Sequence, residues 1–312
     1  MTSNASQKLR IGYVPEHFST PIAFAQKHFA LDAELISEPL GTGALASRLK
    51  TSDEAYRIDV AIGLTEGFVA DLGKTHAAGD QAGYGIVGTY VESPLCWAIS
   101  TGAERDDVQS VEGLRGKKVG VSRIGSGSYV MSYVLADQQG WLSASSSAPA
   151  EQAPFGVEQI GDFAALRAAV RGGKADFFMW EHFTTKHYWD SGELKRIGEI
   201  YTPWPSWMVC ARASASADGK LAVMAAKINQ GVRWFREHPR EAVEHITKTM
   251  RYSREDAEAW METVRFAEDV RGVDPGVIDE TVGVLRKAGV LDGAAGGSEH
   301  MVTIQRAASG QA

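Results

Sequence analysis

The chain has 312 residues, a net charge of −7 and a hydrophobic fraction of 44%, enough for two domains of ordinary size that each bury a core. Acids and bases are interspersed, which excludes a nucleic-acid-binding face. No window approaches the roughly 18 apolar residues that a membrane-crossing helix needs, so membrane insertion is excluded as well.

Strand-like and helix-like segments alternate through the first two thirds of the chain, the pattern of a parallel α/β protein. Leu9–Val14 reads as a strand and is followed by a polar loop containing His17 and Phe18. Pro21 opens a helix, because a proline is well accommodated at a first helical position. A strand over Glu34–Leu40 ends in Gly41-Thr42-Gly43 ahead of a second helix to about Lys50, and Ile58–Gly63 is a third strand. Thr65 and Glu66 cap the helix that follows. Two further strands, Tyr84–Val91 and Leu95–Ser100, join around Ser93 and Pro94.

The pattern restarts at Val111. Gly116–Ser122 is a turn and strand, Gly125-Ser126-Gly127-Ser128 opens a helix to about Gln139, and Ser143–Ala153 is a surface loop. Asp162 caps a helix, Phe177–Trp180 is a strand, and helix Glu181–Asp190 and strand Leu194–Ile200 complete this half. Tyr201–Ala211 is extended. Four helices follow, over Lys220–Glu237, Arg240–Met250, Ser253–Phe266 and Asp274–Ala288, then a frayed tail. The expected organisation is a discontinuous first lobe (1–94 and 205–312) and a second lobe (95–204), with hinge crossovers near 90–97 and 202–207. The charged faces of the last helices read as solvated; homodimerisation through that layer is the alternative.

Cys96 and Cys210 read as two separate buried thiols, with a disulfide between the crossovers as the alternative. No Cys/His spacing resembles a zinc or iron–sulfur site, so no metal and no cofactor are expected. The N-terminus shows no basic region, apolar core or lipobox cysteine. A cytoplasmic protein is expected, and a periplasmic one only if an export signal was removed.

Leu9–Pro15, Gly41-Thr42-Gly43, Ile58–Gly63, Val111–Ser126 and Gly173–Asp176, in that order and spacing, resemble the type II periplasmic-binding-protein superfamily. The similarity is strongest to its NMT1-like branch of sulfonate-, taurine-, nitrate- and thiamine-pyrimidine-binding proteins. The missing export signal makes the chain resemble that fold's cytosolic, fungal-type members. The resemblance implies a two-lobed α/β fold of the kind that feeds ABC transporters, binding one small molecule by hinge closure. The chain lacks the Cys-rich iron motif of the fungal thiamine-pyrimidine synthases, which argues against that activity.

The candidate site is read from the residues themselves. A helix start leaves backbone N–H groups unpaired and a partial positive charge, so the segment Ser122, Gly125, Ser126, Gly127, Ser128 suits a carboxylate, sulfonate or phosphate; a plain capped turn is the alternative. It is not a nucleotide-binding P-loop, because the Gly-Lys-Ser/Thr ending is absent. Gly41, Thr42 and Gly43 would supply a facing clamp. Phe18, Trp180, Trp204 and Trp207 offer flat apolar surface, although at least two of these are expected to be packing. His17, Thr65, Glu66, Ser93, Glu181 and His182 fall at strand ends and helix starts, where open sheets place ligands. The expected function is binding of a small organic ligand with an anionic group and a flat or apolar portion. Two alternatives stand beside it: an enzyme using Glu66, Glu181 or His17 as acid or base, and a ligand-responsive regulator.

Overall fold

The computed structural model describes residues 8–142, 153–216 and 219–306. Four strands from the first third, β1 (Leu9–Tyr13), β2 (Ala33–Ser37), β3 (Val60–Leu64) and β4 (Tyr84–Val91), build one sheet. A later strand, here β10 (Trp207–Arg212), inserts between β3 and β4, so the order is β2-β1-β3-β10-β4. β1 lies parallel to β2 and β3, and β10 antiparallel to both its neighbours. The second sheet contains β5 (Cys96–Gly102), β6 (Lys118–Val121), β7 (Gly156–Gln159), β8 (Phe177–Glu181) and β9 (Leu194–Tyr201) in the order β7-β6-β8-β5-β9. Again one strand reverses: β5 is antiparallel to β8 and β9. Two lobes result, the first discontinuous in sequence.

Among the described residues, only Glu92–Leu95 and Thr202–Ser206 run between the sheets. They lie side by side. Thr202 N–H donates to the Leu95 carbonyl at 3.0 Å, Leu95 N–H to Thr202 Oγ1 at 2.9 Å, and Ser206 Oγ to the Ser93 carbonyl at 2.7 Å. A change in either segment's backbone is therefore passed to the other.

In the first lobe α1 (Thr20–Phe29), α2 (Thr42–Lys50) and α3 (Thr65–Ala77) link the strands, and α4 (Gly127–Gln138), α5 (Phe163–Arg171) and α6 (His182–Asp190) do so in the second. After β10 come α7 (Ala213–Ser216), α8 (Lys220–Glu237), α9 (Pro239–Thr249), α10 (Arg254–Thr263), α11 (Pro275–Lys287) and α12 (Ser298–Met301). α8 packs along α1. Its Gly231 takes the approach so closely that a Cβ there would lie 2.2 Å from the Pro21 carbonyl oxygen.

Three expectations change. The third C-terminal helix stops at Thr263 instead of Phe266, because the next residues leave it for the edge of β4: Glu92 N–H donates to the Arg265 carbonyl and Ala267 N–H to the Tyr90 carbonyl. The tail is not frayed through residue 306, since Thr303 N–H bonds the Ile86 carbonyl and Arg306 N–H the Val273 carbonyl. β7 was not expected at all. It is four residues long with two polar side chains, and gains strand character only by pairing with β6. The loop expected over 143–153 falls almost wholly outside the described residues.

Ser253 caps α10, its Oγ accepting from Asp256 N–H at 3.0 Å. Ser253→Ala is expected to cost about 1 kcal/mol, the usual value of such a cap. Urea unfolding checks it, and an unchanged midpoint would refute the cap's contribution.

Candidate functional site

β6 ends at Val121 and the chain turns through Ser122–Ser126 into α4. Gly125 sits at φ +79°, which a side chain adopts only at a cost. Ser126 is the N-cap: its Oγ accepts from Tyr129 N–H at 3.4 Å and shares a bond of 3.0 Å with Ser128 Oγ. Ser128 Oγ in turn accepts from Ser122 N–H at 3.2 Å. The serine hydroxyls thus hold the turn closed on itself, while the first α4 amides, at Gly127 and Ser128, gain no partner from within the helix.

That helix start opens on a cavity of about 860 Å³ lined by both lobes. The first lobe contributes Gly41, Thr42 and Gly43 at the start of α2 and Trp207 on β10. The second contributes Ser122, Ser126, Gly127 and Ser128, with Trp180 and Glu181 from the end of β8. The remaining expected residues do not line it, for stated reasons. His17 is fully buried, stacked on Tyr252 and packed at a tilt against Trp260 at centroid distances of 4.5 and 4.1 Å. Phe18 packs between Trp207 and Trp260. Both stand behind the wall. Thr65 Oγ1 donates to the Pro205 carbonyl, and Ser93 Oγ accepts from Arg265 N–H, so these hydroxyls tie down the crossovers. Trp204 donates from Nε1 to Glu66 Oε2 at 3.1 Å. His182 turns toward Cys96 and Glu199 instead. Gly125 shapes the turn.

Glu66 is not on the cavity wall, yet it meets α4. A Cβ added to Gly127 would lie 3.2 Å from Glu66 Oε1 and 2.8 Å from the Trp97 ring. Only a glycine lets that carboxylate and that indole come against the first turn.

Several wall residues went unanticipated. Trp97 on β5 lines the cavity, and like Trp207 it is buried with an indole N–H that has no partner among the described residues. Arg123 also lines it. A Cβ on Gly43 would lie 1.8 Å from Arg123 Nη2, so the guanidinium of one lobe rests on the bare Cα of the other. Burial lowers the Arg123 pKa, opposed by the more distant Asp71. Arg167 grips Glu193 through two contacts of 2.7 and 2.9 Å, lies 3.7 Å over the Tyr188 ring, and leaves Nε unpaired.

Acids share the wall. Glu181 is pushed up to about 7 by burial, against the opposing hydrogen bond from Thr184 N–H at 2.6 Å. Glu16 is pushed up to about 8, by burial first and the Glu181 charge second. His17 Nε2 lies 3.8 Å from Glu181 Oε1, but burial holds the imidazole well below its usual range and therefore neutral. The two cysteines are free thiols. Burial, with Glu199 beside it, pushes the Cys96 thiol up to about 12, so it is no nucleophile at neutral pH.

The cavity therefore combines a helix start, an arginine with no hydrogen bond or ion pair among the described residues, aromatic surface and protonatable carboxylates at the meeting of two lobes. A family model described as Ca3427-like PBP matches residues 97–200. The solved structure of the Candida albicans CA3427 gene product is 37% identical over 97% of this chain and 99% of that one, with a TM-score of 0.81. It is described as defining a new family with the generic periplasmic-binding-protein fold. The alkanesulfonate-binding protein of Xanthomonas axonopodis, solved with bound MOPS, is 16% identical with a TM-score of 0.69, covering 92% of this chain and 95% of that one. The nitrate-binding protein of Synechocystis is 13% identical with a TM-score of 0.65, covering 92% and 82%. These two share the fold. No curated protein matches the chain. Identity of 37% over nearly the full length of both chains, on the same two-sheet topology, makes this chain a member of the Ca3427-like family of periplasmic-binding-protein-fold proteins.

Proposed function

We propose that the chain binds one small organic molecule, with an anionic group and a flat or apolar portion, in the cavity between its lobes, and that the lobes close on it by bending Glu92–Leu95 and Thr202–Ser206. The observation that carries this reading is the start of α4 facing the cavity beside Arg123, whose guanidinium has no hydrogen bond or ion pair among the described residues. A half-buried arginine that no carboxylate contacts is costly to hold, and a bound anion would offset that cost. Trp97, Trp180 and Trp207 supply the flat surface, and the volume lies in the range of small-molecule sites. Two crossovers bonded to one another suit a hinge.

Calorimetry on desalted protein tests it, using a panel of alkanesulfonates, aromatic carboxylates and organic phosphates, each beside a neutral counterpart. At least one anion is expected to bind with a micromolar or lower Kd and to outbind its neutral counterpart at least tenfold. Its addition should also shrink the radius of gyration in X-ray scattering. Anions no better than their neutral counterparts would sink the anion-site reading; binding without any contraction would sink the closure.

A further inference from the structure

We propose that Cys96, His182 and Glu199 form a binding site for one zinc-like divalent cation at the base of the second lobe. The three come from three elements: Cys96 begins β5, His182 begins α6, and Glu199 is near the end of β9. The register brings them together. Cys96 pairs with Tyr201 and Ala98 with Glu199 across the antiparallel β5–β9 ladder, so Cys96, Glu199 and Tyr201 project from one face of the sheet. β8 lies against the other side of β5 with Glu181 opposite Trp97, and the chain turns there into α6, which places His182 beside them.

Cys96 Sγ is 3.8 Å from His182 Nδ1, and the same nitrogen is 3.4 Å from Glu199 Oε2. All three donor atoms lie within 4.8 Å of one another. Metal bonds of about 2.0 to 2.3 Å in tetrahedral geometry place neighbouring ligand atoms roughly 3.3 to 3.8 Å apart. Two edges of this triangle already have that length. A cation near its centre would stand within a few tenths of an ångström of bonding distance from every corner.

The donor set selects the ion. A thiolate disfavours magnesium and calcium, and thiolate, imidazole and carboxylate together suit zinc. One thiolate and one carboxylate balance a divalent charge. The His182 ring is held edge-on by Trp189 and Phe183, at centroid distances of 5.0 and 4.9 Å, which keeps Nδ1 pointed at the other two donors. Tyr201 OH, 3.3 Å from Glu199 Oε1, or a water can complete four-coordination. Glu199 now pairs with Arg196, a partly exposed side chain that can swing into solvent and leave a path for the ion. Cys96 and Tyr201 abut the two crossovers, and His182 follows Glu181 of the cavity wall. A bound ion would therefore tie α6 to both strands that lead out of the lobe.

The test uses the full chain after chelator treatment and desalting, titrated with Co²⁺ and then Zn²⁺. One equivalent of Co²⁺ should produce a thiolate-to-metal charge-transfer absorption, and Zn²⁺ should displace it. Cys96→Ser should abolish that band and weaken zinc binding by more than the 10- to 100-fold typical of outer-sphere ligand losses. His182→Gln should weaken binding comparably, while Cys210→Ser should leave both readouts unchanged. Far-UV circular dichroism checks each variant's fold; if Cys96→Ser does not fold, His182→Gln decides. The proposal is overturned if Co²⁺ gives no thiolate band, if the band survives Cys96→Ser, or if His182→Gln binds zinc as the native chain does.

Discussion

At pH 8 the Glu66→Gln protein is expected to be more stable than the native chain by about 3 kcal/mol, with the gain vanishing near pH 4.5. Glu66 lies in the first turn of α3, wholly buried, and accepts one hydrogen bond from Trp204 while Oε1 has no partner. Burial raises its pKa from 4.5 to about 7, opposed first by its own backbone N–H and then by the Trp204 bond. Between those values the folded protein keeps a proton that the unfolded chain releases. Stability therefore falls as pH rises from 4.5 to 7, and the loss is complete above 7. Each unit of separation is worth 1.36 kcal/mol, which gives the expected size. Glutamine matches the protonated carboxyl in shape and charge, retains an acceptor for Trp204 and has no proton to lose. Urea unfolding of both proteins at pH 4.5, 6, 7 and 8 provides the comparison. Equal stability at pH 8 would mean that the Glu66 charge is compensated in the folded protein. Acid-side losses are a separate matter: Glu241, held down to about 2 chiefly by Lys27, costs stability only as pH drops below 4.5.

The same burial connects stability to the cavity. Glu66 Oε1 stands against Gly127, and Glu181 and Glu16 line the cavity, all with raised pKa values. A ligand bringing an N–H donor or a cationic group to these carboxylates would favour their charged forms. The site thus joins a helix start to acids that hold their protons near neutrality.

Local chemistry made part of this legible from the residues. The turn at Ser122–Ser128 announces itself through glycine, a serine cap and an adjoining apolar strand, and it does open on the cavity. Gly41–Gly43 was readable in the same way. Pairing across the fold was not. β5 and β10 are ordinary apolar strands in sequence, and nothing local says that each reverses direction within its sheet. Arg123 looks like one more solvated turn residue until the other lobe presents Gly43 to its guanidinium. His17 and Phe18 occupy the right loop, but hydrophobic burial draws them behind the wall while Glu16 takes the cavity side. His182 follows the cavity residue Glu181, and a helix start sends the two in different directions, one to the cavity and one to Cys96. A cluster drawn from positions 96, 182 and 199 has no spacing to recognise; only strand register creates it.

Arg123→Ala is expected to weaken binding of the best anion found in the panel by about 30- to 100-fold, while leaving its neutral counterpart within about threefold. A hydrogen bond to a charged group contributes about 1.5 to 3 kcal/mol, and the upper part of that range applies where water is excluded, which matches that loss in affinity. Arg123→Lys should recover part of the affinity, since a point charge attracts an anion without the guanidinium's paired donors. Gly43→Ala supplies an independent check from the other lobe. Its methyl would occupy the space 1.8 Å from Arg123 Nη2, and the long arginine side chain yields before the backbone does. The charge then remains in the protein but leaves its position, so Gly43→Ala should lower anion affinity while the unfolding midpoint stays nearly unchanged. Because the two residues act through one contact, the double variant Gly43→Ala/Arg123→Ala should bind no more weakly than Arg123→Ala alone. Additive losses would show that Gly43 contributes in some other way. An unchanged Kd for Arg123→Ala would remove this arginine from the anion site.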